Sequence, residues 1–108
     1  MIDRTRSLLV LLPWLSVPAL VAGFAATWQM LPPRLAVHFD AGGAPNGWMS
    51  RGQFAAFAVV ILVFVLANFT LKLFSGREAE KFNVRLLFYY AGTVIVLGVF
   101  LVILRHNM

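Results

Sequence analysis

Three long apolar stretches alternate with two polar segments along the chain. The first runs without a charge from Leu8 to Met30, the second from Phe54 to Phe74 and the third from Leu86 to Leu104. As helices at 1.5 Å per residue, the first reaches roughly 34 Å and the third roughly 28 Å. Against a hydrocarbon core of ~30 Å the first can cross with some tilt, and the third is short but sufficient. Barrel strands would alternate in polarity over ~10 residues, and these stretches do not. The pattern predicts an all-α membrane protein: three transmembrane helices with a turn-rich extracytoplasmic loop, 31–53, between the first two. The whole chain, 1–108, reads as a single integral membrane domain.

Pro13 and Pro18 lie inside the first stretch. Proline is better tolerated in membrane helices than in soluble ones, so a kink is expected rather than an end. A signal peptide is the rival reading, with Asp3, Arg4 and Arg6 as its charged start. The apolar run is longer than a usual h-region and no A-x-A cleavage site follows, which favours an uncleaved span. Small residues four apart, Ala19 with Gly23 and Ala22 with Ala26, and Gly92 and Gly98 in the third stretch, are candidate points of close helix approach. The phenylalanines of the second stretch, at 54, 57, 64, 69 and 74, read as packing and lipid-facing bulk. Asn68-Phe69-Thr70 matches a glycosylation sequon, but its place inside a span removes its meaning.

The segment from Leu31 to Arg51 holds most of the turn chemistry. Pro32 and Pro33 stop the first span. Leu35, Val37 and Phe39 alternate with Ala36, His38 and Asp40, and a period of two predicts a short extended piece. Asp40-Ala-Gly-Gly43 and Ala44-Pro-Asn-Gly47 each carry turn residues. Ser50 and Gln53 have the spacing of a capping box directly before an apolar run, which makes Ser50 the expected N-cap of the second span. Arg51 then falls in the first turn, where the helix dipole disfavours a cation. A headgroup phosphate or a partner is the expected recipient of its charge.

Composition sharpens this picture. The chain is 61% hydrophobic and only 12% charged, about half the charge of a soluble domain. Its net charge is +5, yet no basic run or aromatic-interleaved basic strand is present. The basic residues read as topology signals, so the lipid bilayer and not nucleic acid is the expected partner. Arg4, Arg6, Lys72, Arg77, Lys81 and Arg85 fall on one side of the membrane, and Arg34, Arg51 and Arg105 on the other. Six against three predicts a cytoplasmic N-terminus and an outward-facing first loop. Tyr89 and Tyr90, one turn into the third span, fit an interfacial aromatic belt. The second polar segment, Ser75 to Arg85, with Glu78 and Glu80 beside Arg77 and Lys81, reads as a solvated amphipathic connector.

Candidate chemistry is sparse. There is no cysteine, so thiolate metal sites, disulfides and cysteine nucleophiles are excluded. His38 and Asp40 offer two ligands where a stable metal site needs three or four. No nucleophile–base arrangement or phosphate-binding glycine motif occurs. Neither an enzyme nor a cofactor is expected. No span carries an acid, an arginine or a histidine near its centre, which argues against coupled transport. Trp48 reads as an interfacial anchor or as a stacking platform for a ligand.

The run from Leu31 to Trp48 resembles the signature of a bacterial membrane domain of unknown function that forms the N-terminal part of SdpI-type immunity proteins. Leu31, Pro32, His38, Phe39, Gly43, Gly47 and Trp48 match it in order and spacing. Ala36 stands where the family often has a second proline, and Asn46 where it often has aspartate. The resemblance implies a multi-pass protein of the bacterial cytoplasmic membrane with an ordered loop after its first helix. SdpI-type proteins also carry a second membrane half that these 108 residues do not include. The expected function is a binding or regulatory role through the outer loop, with toxin immunity or signalling of the SdpI type as one version. A structural or accessory subunit of a membrane complex or transporter is the alternative, and a homo-oligomer is compatible with both. The candidate contacts for a peptide or protein partner are Arg34, His38, Asp40, Asn46, Trp48 and Arg51.

Overall fold

A computed structural model of the chain describes residues 4–75 and 79–108, without the side chains of 79 and 80. The chain forms three membrane-length helical segments, Arg4–Met30, Arg51–Ser75 and Lys81–Asn107, each apolar enough to cross a bilayer. This is the architecture of a multi-pass membrane protein. The first segment comprises α1 (Arg4–Leu11), a 3-10 turn (Leu12–Leu15), α2 (Ser16–Thr27) and a terminal 3-10 turn (Trp28–Met30). The second is α3 (Arg51–Ser75) and the third belongs to α4 (Ala79–Asn107). The third helix thus starts well before Leu86. Most of the expected connector is helical, while Arg77 and the side chains of Glu78 and Glu80 lie outside the described residues.

α3 is the centre of the bundle. Phe54, Ala58, Leu62 and Leu66 repeat every four residues along it and are all buried. This single stripe packs on α2 from one side and on α4 from the other. At its start Phe54 meets Phe24 of α2 edge-on at 5.8 Å and Phe100 of α4 at 5.7 Å. Phe54 is therefore a core residue, whereas Phe57 and Phe64 are exposed as expected of lipid-facing bulk.

The first segment changes character where Pro13 lies. Proline has no N–H, so it leaves the Leu9 carbonyl four residues earlier without its helical donor. The adjoining 3-10 turn shifts bonding from i−4 to i−3 and strands the Val10 carbonyl as well. Both are met from α4: the Tyr90 hydroxyl donates to Leu9 O at 2.6 Å and the Tyr89 hydroxyl to Val10 O at 2.7 Å. Nearby, Trp14 Nε1 donates to Thr70 Oγ1 of α3 at 2.9 Å, and Ser16 Oγ donates to Pro13 O at 2.5 Å. The tyrosines do not act simply as an interfacial belt. Tyr89 is fully buried, and both hydroxyls complete the backbone of another span. Pro18 falls in the first turn of α2, where a missing N–H costs nothing.

The small-residue face of α2 does not seat a helix. A Cβ built on Gly23 would meet nothing within 4 Å, because α2 packs on α3 through Leu20 and Phe24 instead. On α4, Gly92 faces Phe69 of α3 at ordinary contact distance, while Gly98 faces open space. Asn68 returns its amide to Phe64 O within its own helix at 2.8 Å.

If the tyrosine hydroxyls substitute for the donor that Pro13 lacks, their value depends on Pro13. Tyr90→Phe is expected to lower stability in mixed micelles by about 1 kcal/mol. In a Pro13→Ala background, where residue 13 regains an N–H, the same substitution is expected to cost clearly less. Equal costs in the two backgrounds would contradict the assignment.

Candidate functional site

The segment after the first span is a small antiparallel sheet rather than a run of turns. β1 (Arg34–Phe39) pairs with β2 (Pro45–Ser50). The expected extended piece is present as β1. The first expected turn is present too: Asp40 N donates to Ala44 O at 2.9 Å and Gly43 N to Asp40 O at 3.0 Å. The Asp40 Oδ1 atom accepts from the backbone N–H groups of Gly42 and Ala44, both at 2.9 Å. Gly43 has φ +84°, a conformation that favours glycine. The second expected turn, Ala44 to Gly47, is absent. Asp40 has already reversed the chain, so Pro45 opens β2, a position where its missing N–H is tolerated.

The register is irregular in the middle. Ala36 faces Trp48 and Leu35 faces Met49, then His38 faces Gly47 and Phe39 faces Pro45. One extra residue in β1 is followed by one extra in β2, so the two irregularities cancel. A Cβ on Gly47 would lie 2.7 Å from His38 Cβ. Glycine here lets the strands close over His38. With the strands that near, His38 Nδ1 and Asn46 Oδ1 are hydrogen-bonded at 2.6 Å.

Three attachments fix the sheet to the bundle. At its exit, Ser50 and Gln53 form the expected capping box: Gln53 N donates to Ser50 Oγ at 3.1 Å and Ser50 N to Gln53 Oε1 at 3.2 Å. At its base, Arg51 Nη1 donates to Trp28 O at 3.0 Å and Leu31 O at 3.3 Å, with the guanidinium 4.7 Å from the Trp28 ring centre. A cation misplaced at the start of its own helix is thereby placed at the C-terminal end of another, where the dipole favours it. At its edge, Asn107 at the end of α4 pairs with the backbone of Ala36. Its Oδ1 accepts from Ala36 N at 2.8 Å and its Nδ2 donates to Ala36 O at 2.9 Å. The Asn107 amide acts as a one-residue third strand, which explains why Ala36 is buried on the face expected to meet water. His106 adds an edge-on contact to Phe39 at 4.7 Å.

The six sequence-selected residues therefore divide. His38 and Asn46 are bonded to each other, and Trp48, 53% exposed, lies further along β2. Asp40 sits in the turn, where its carboxylate accepts backbone bonds from Gly42 and Ala44. Arg51 is turned toward the end of the first span. Arg34 is exposed at the sheet base. Beneath the sheet a groove of about 420 Å³ opens between α3 and α4, with His38 at its rim and Met49, Phe57, Val99 and Ile103 among its walls. Asn107 was not selected. It lies 71 residues from Ala36, and its one legible signal was an amide at the end of an apolar run.

The two cations at the sheet base should differ sharply. Arg51→Gln is expected to lower stability by about 1–3 kcal/mol, because it removes a charged donor from two carbonyls. Arg34→Gln is expected to change it by less than about 0.5 kcal/mol, as for an exposed residue without special contacts. Thermal unfolding in detergent compares them, and equal effects would contradict the placement of Arg51.

No curated protein and no solved structure matches the chain. Residues 8–64, more than half of the chain, match the family described as a domain of unknown function, DUF1648. That match runs from the first span through the hairpin into α3, and the chain belongs to this family.

Proposed function

We propose that the protein is a binding or regulatory component of a bacterial cytoplasmic membrane, and that its hairpin recognises a peptide or protein partner. The carrying observation is the contrast between the hairpin's fixed backbone and its exposed side chains. Asn107 at its edge, Arg51 at its base and the Ser50–Gln53 cap at its exit hold it to three helices. The His38–Asn46 pair and the Trp48 ring stay exposed. A preorganised platform avoids ordering costs on binding, and an aromatic ring beside polar groups is a common anchor of recognition. The groove at the His38 rim offers an apolar recess for a side chain of the partner.

The proposed orientation places the N-terminus in the cytoplasm and the hairpin outside. It rests on the division of basic residues between the two ends of the helices. On that side the hairpin would meet external peptides, and toxin immunity of the SdpI type is the specific version that the resemblance favours. Asp40 serves the turn in this reading, and Arg51 serves the platform, so recognition falls to His38, Asn46 and Trp48.

Photo-crosslinking from position 48 in native membranes tests the proposal. A discrete protein or peptide adduct is expected, reduced about tenfold by His38→Ala, as for loss of one contact worth 1.4 kcal/mol. In cells protected against a peptide toxin, Trp48→Ala is expected to abolish protection while membrane levels stay unchanged. Lipid adducts alone, together with unaltered protection, would overturn the reading.

A further inference from the structure

The second large recess of the molecule lies away from the hairpin's outer face. α2 and α4 flank α3 without closing on each other and leave a groove of about 620 Å³ between them. Its walls include Ala19 and Gly23 on α2 and Leu97 and Leu101 on α4, and its hairpin end carries Thr27 and Arg105. We propose that this groove holds one acyl chain of an anionic phospholipid, with the lipid phosphate on Arg105.

Depth supports this occupant. The walls run from Ser16 to Thr27 and from Leu97 to Met108, a rise of roughly 16 Å at 1.5 Å per residue. That is about half of a ~30 Å hydrocarbon core, the depth of one leaflet. The hairpin end of the groove lies at the end of both helices, where headgroups begin. The lining is apolar from Ala19 to Phe24 and from Leu97 to Leu104 and polar at the hairpin end, as a lipid is; at the deep end the Ser16 hydroxyl is bonded to Pro13 O.

Charge supports it as well. Arg105 is exposed in the last turn of α4. Among the described residues the one acidic side chain is Asp40, and it closes the hairpin turn. A guanidinium in this setting matches a phosphate with two parallel hydrogen bonds. A second copy of the chain fits less well. Copies in one membrane share their orientation, and a two-fold axis through this face would bring Arg105 toward Arg105 at the same depth.

Gly23 makes the groove testable, because it lines the groove and a Cβ added there meets nothing within 4 Å, so a side chain at this position starts in open space. The protein is released from micelles containing equal amounts of phosphatidylglycerol and phosphatidylcholine with identical chains, and bound lipid is read by native mass spectrometry. Wild type is expected to retain phosphatidylglycerol over phosphatidylcholine by about fivefold, the effect of one cation near an anionic headgroup. Arg105→Gln, at an exposed site, is expected to make the two lipids equal, and Gly23→Leu to reduce retention of both. Equal retention by wild type, or indifference to both substitutions, would overturn the proposal. So would a disulfide-linked dimer formed by Gly23→Cys in membranes, since it would show a second copy in the groove.

Discussion

In hydrocarbon every backbone N–H and C=O must find its partner within the protein, because no water is there to supply one. The rest of this structure depends on how that demand is met where regular helix fails. Apolar packing between spans is weakly selective, since lipid tails are as apolar as leucine. Polar contacts between segments therefore decide how the chain is assembled. The Leu9 and Val10 carbonyls, stranded by Pro13 and the 3-10 turn, are taken by two tyrosines of α4. The carbonyls ending the first span are taken by Arg51. The edge of β1 is taken by Asn107. Among the described residues, no buried side-chain nitrogen or oxygen lacks a partner.

These contacts lie at opposite ends of the bundle and have different consequences. The tyrosines tie α1 to α4 far from the hairpin, although neither helix is the central one. Arg51 and Asn107 act at the hairpin end, and they turn two short strands into part of the bundle. An isolated two-stranded hairpin is marginal in water. Here its inner residues, Leu35 and Met49, pack on the helices, and its edge is partly covered. That support leaves Trp48, His38 and Asn46 free of structural duty toward the bundle, which is what a recognition surface requires.

Much of this was legible along the chain. Continuous apolar runs revealed the spans, and the Ser50–Gln53 spacing revealed the helix cap, because both are local. The extended character of β1 followed from its period of two. The Ala44–Gly47 segment misled for a physical reason: proline, asparagine and glycine suit a turn, but Asp40 had already closed one four residues earlier. Gly47 serves close strand approach over His38 instead. Tyr89, Tyr90 and Asn107 were illegible as structural residues because their partners lie 71–81 residues away. A proline inside a span does announce a carbonyl in need of a donor, but it does not say which span supplies it. Arg51 was recognised as a misfit in its own helix, and its partner proved to be the end of the preceding one.

The most direct test of stitching by side chains is amide hydrogen exchange across the hairpin, with the protein in lipid nanodiscs and Asn107 replaced by Ala. Removing the Asn107 amide leaves the Ala36 N–H without its acceptor, while both strands, the first helical segment and α3 keep their sequences and α4 changes only at its last residue. The account predicts that exchange accelerates at Ala36 and spreads through β1 and β2, with α3 unchanged. Protection of both strands equal to wild type would show that the hairpin is held by strand pairing alone, and would contradict the account.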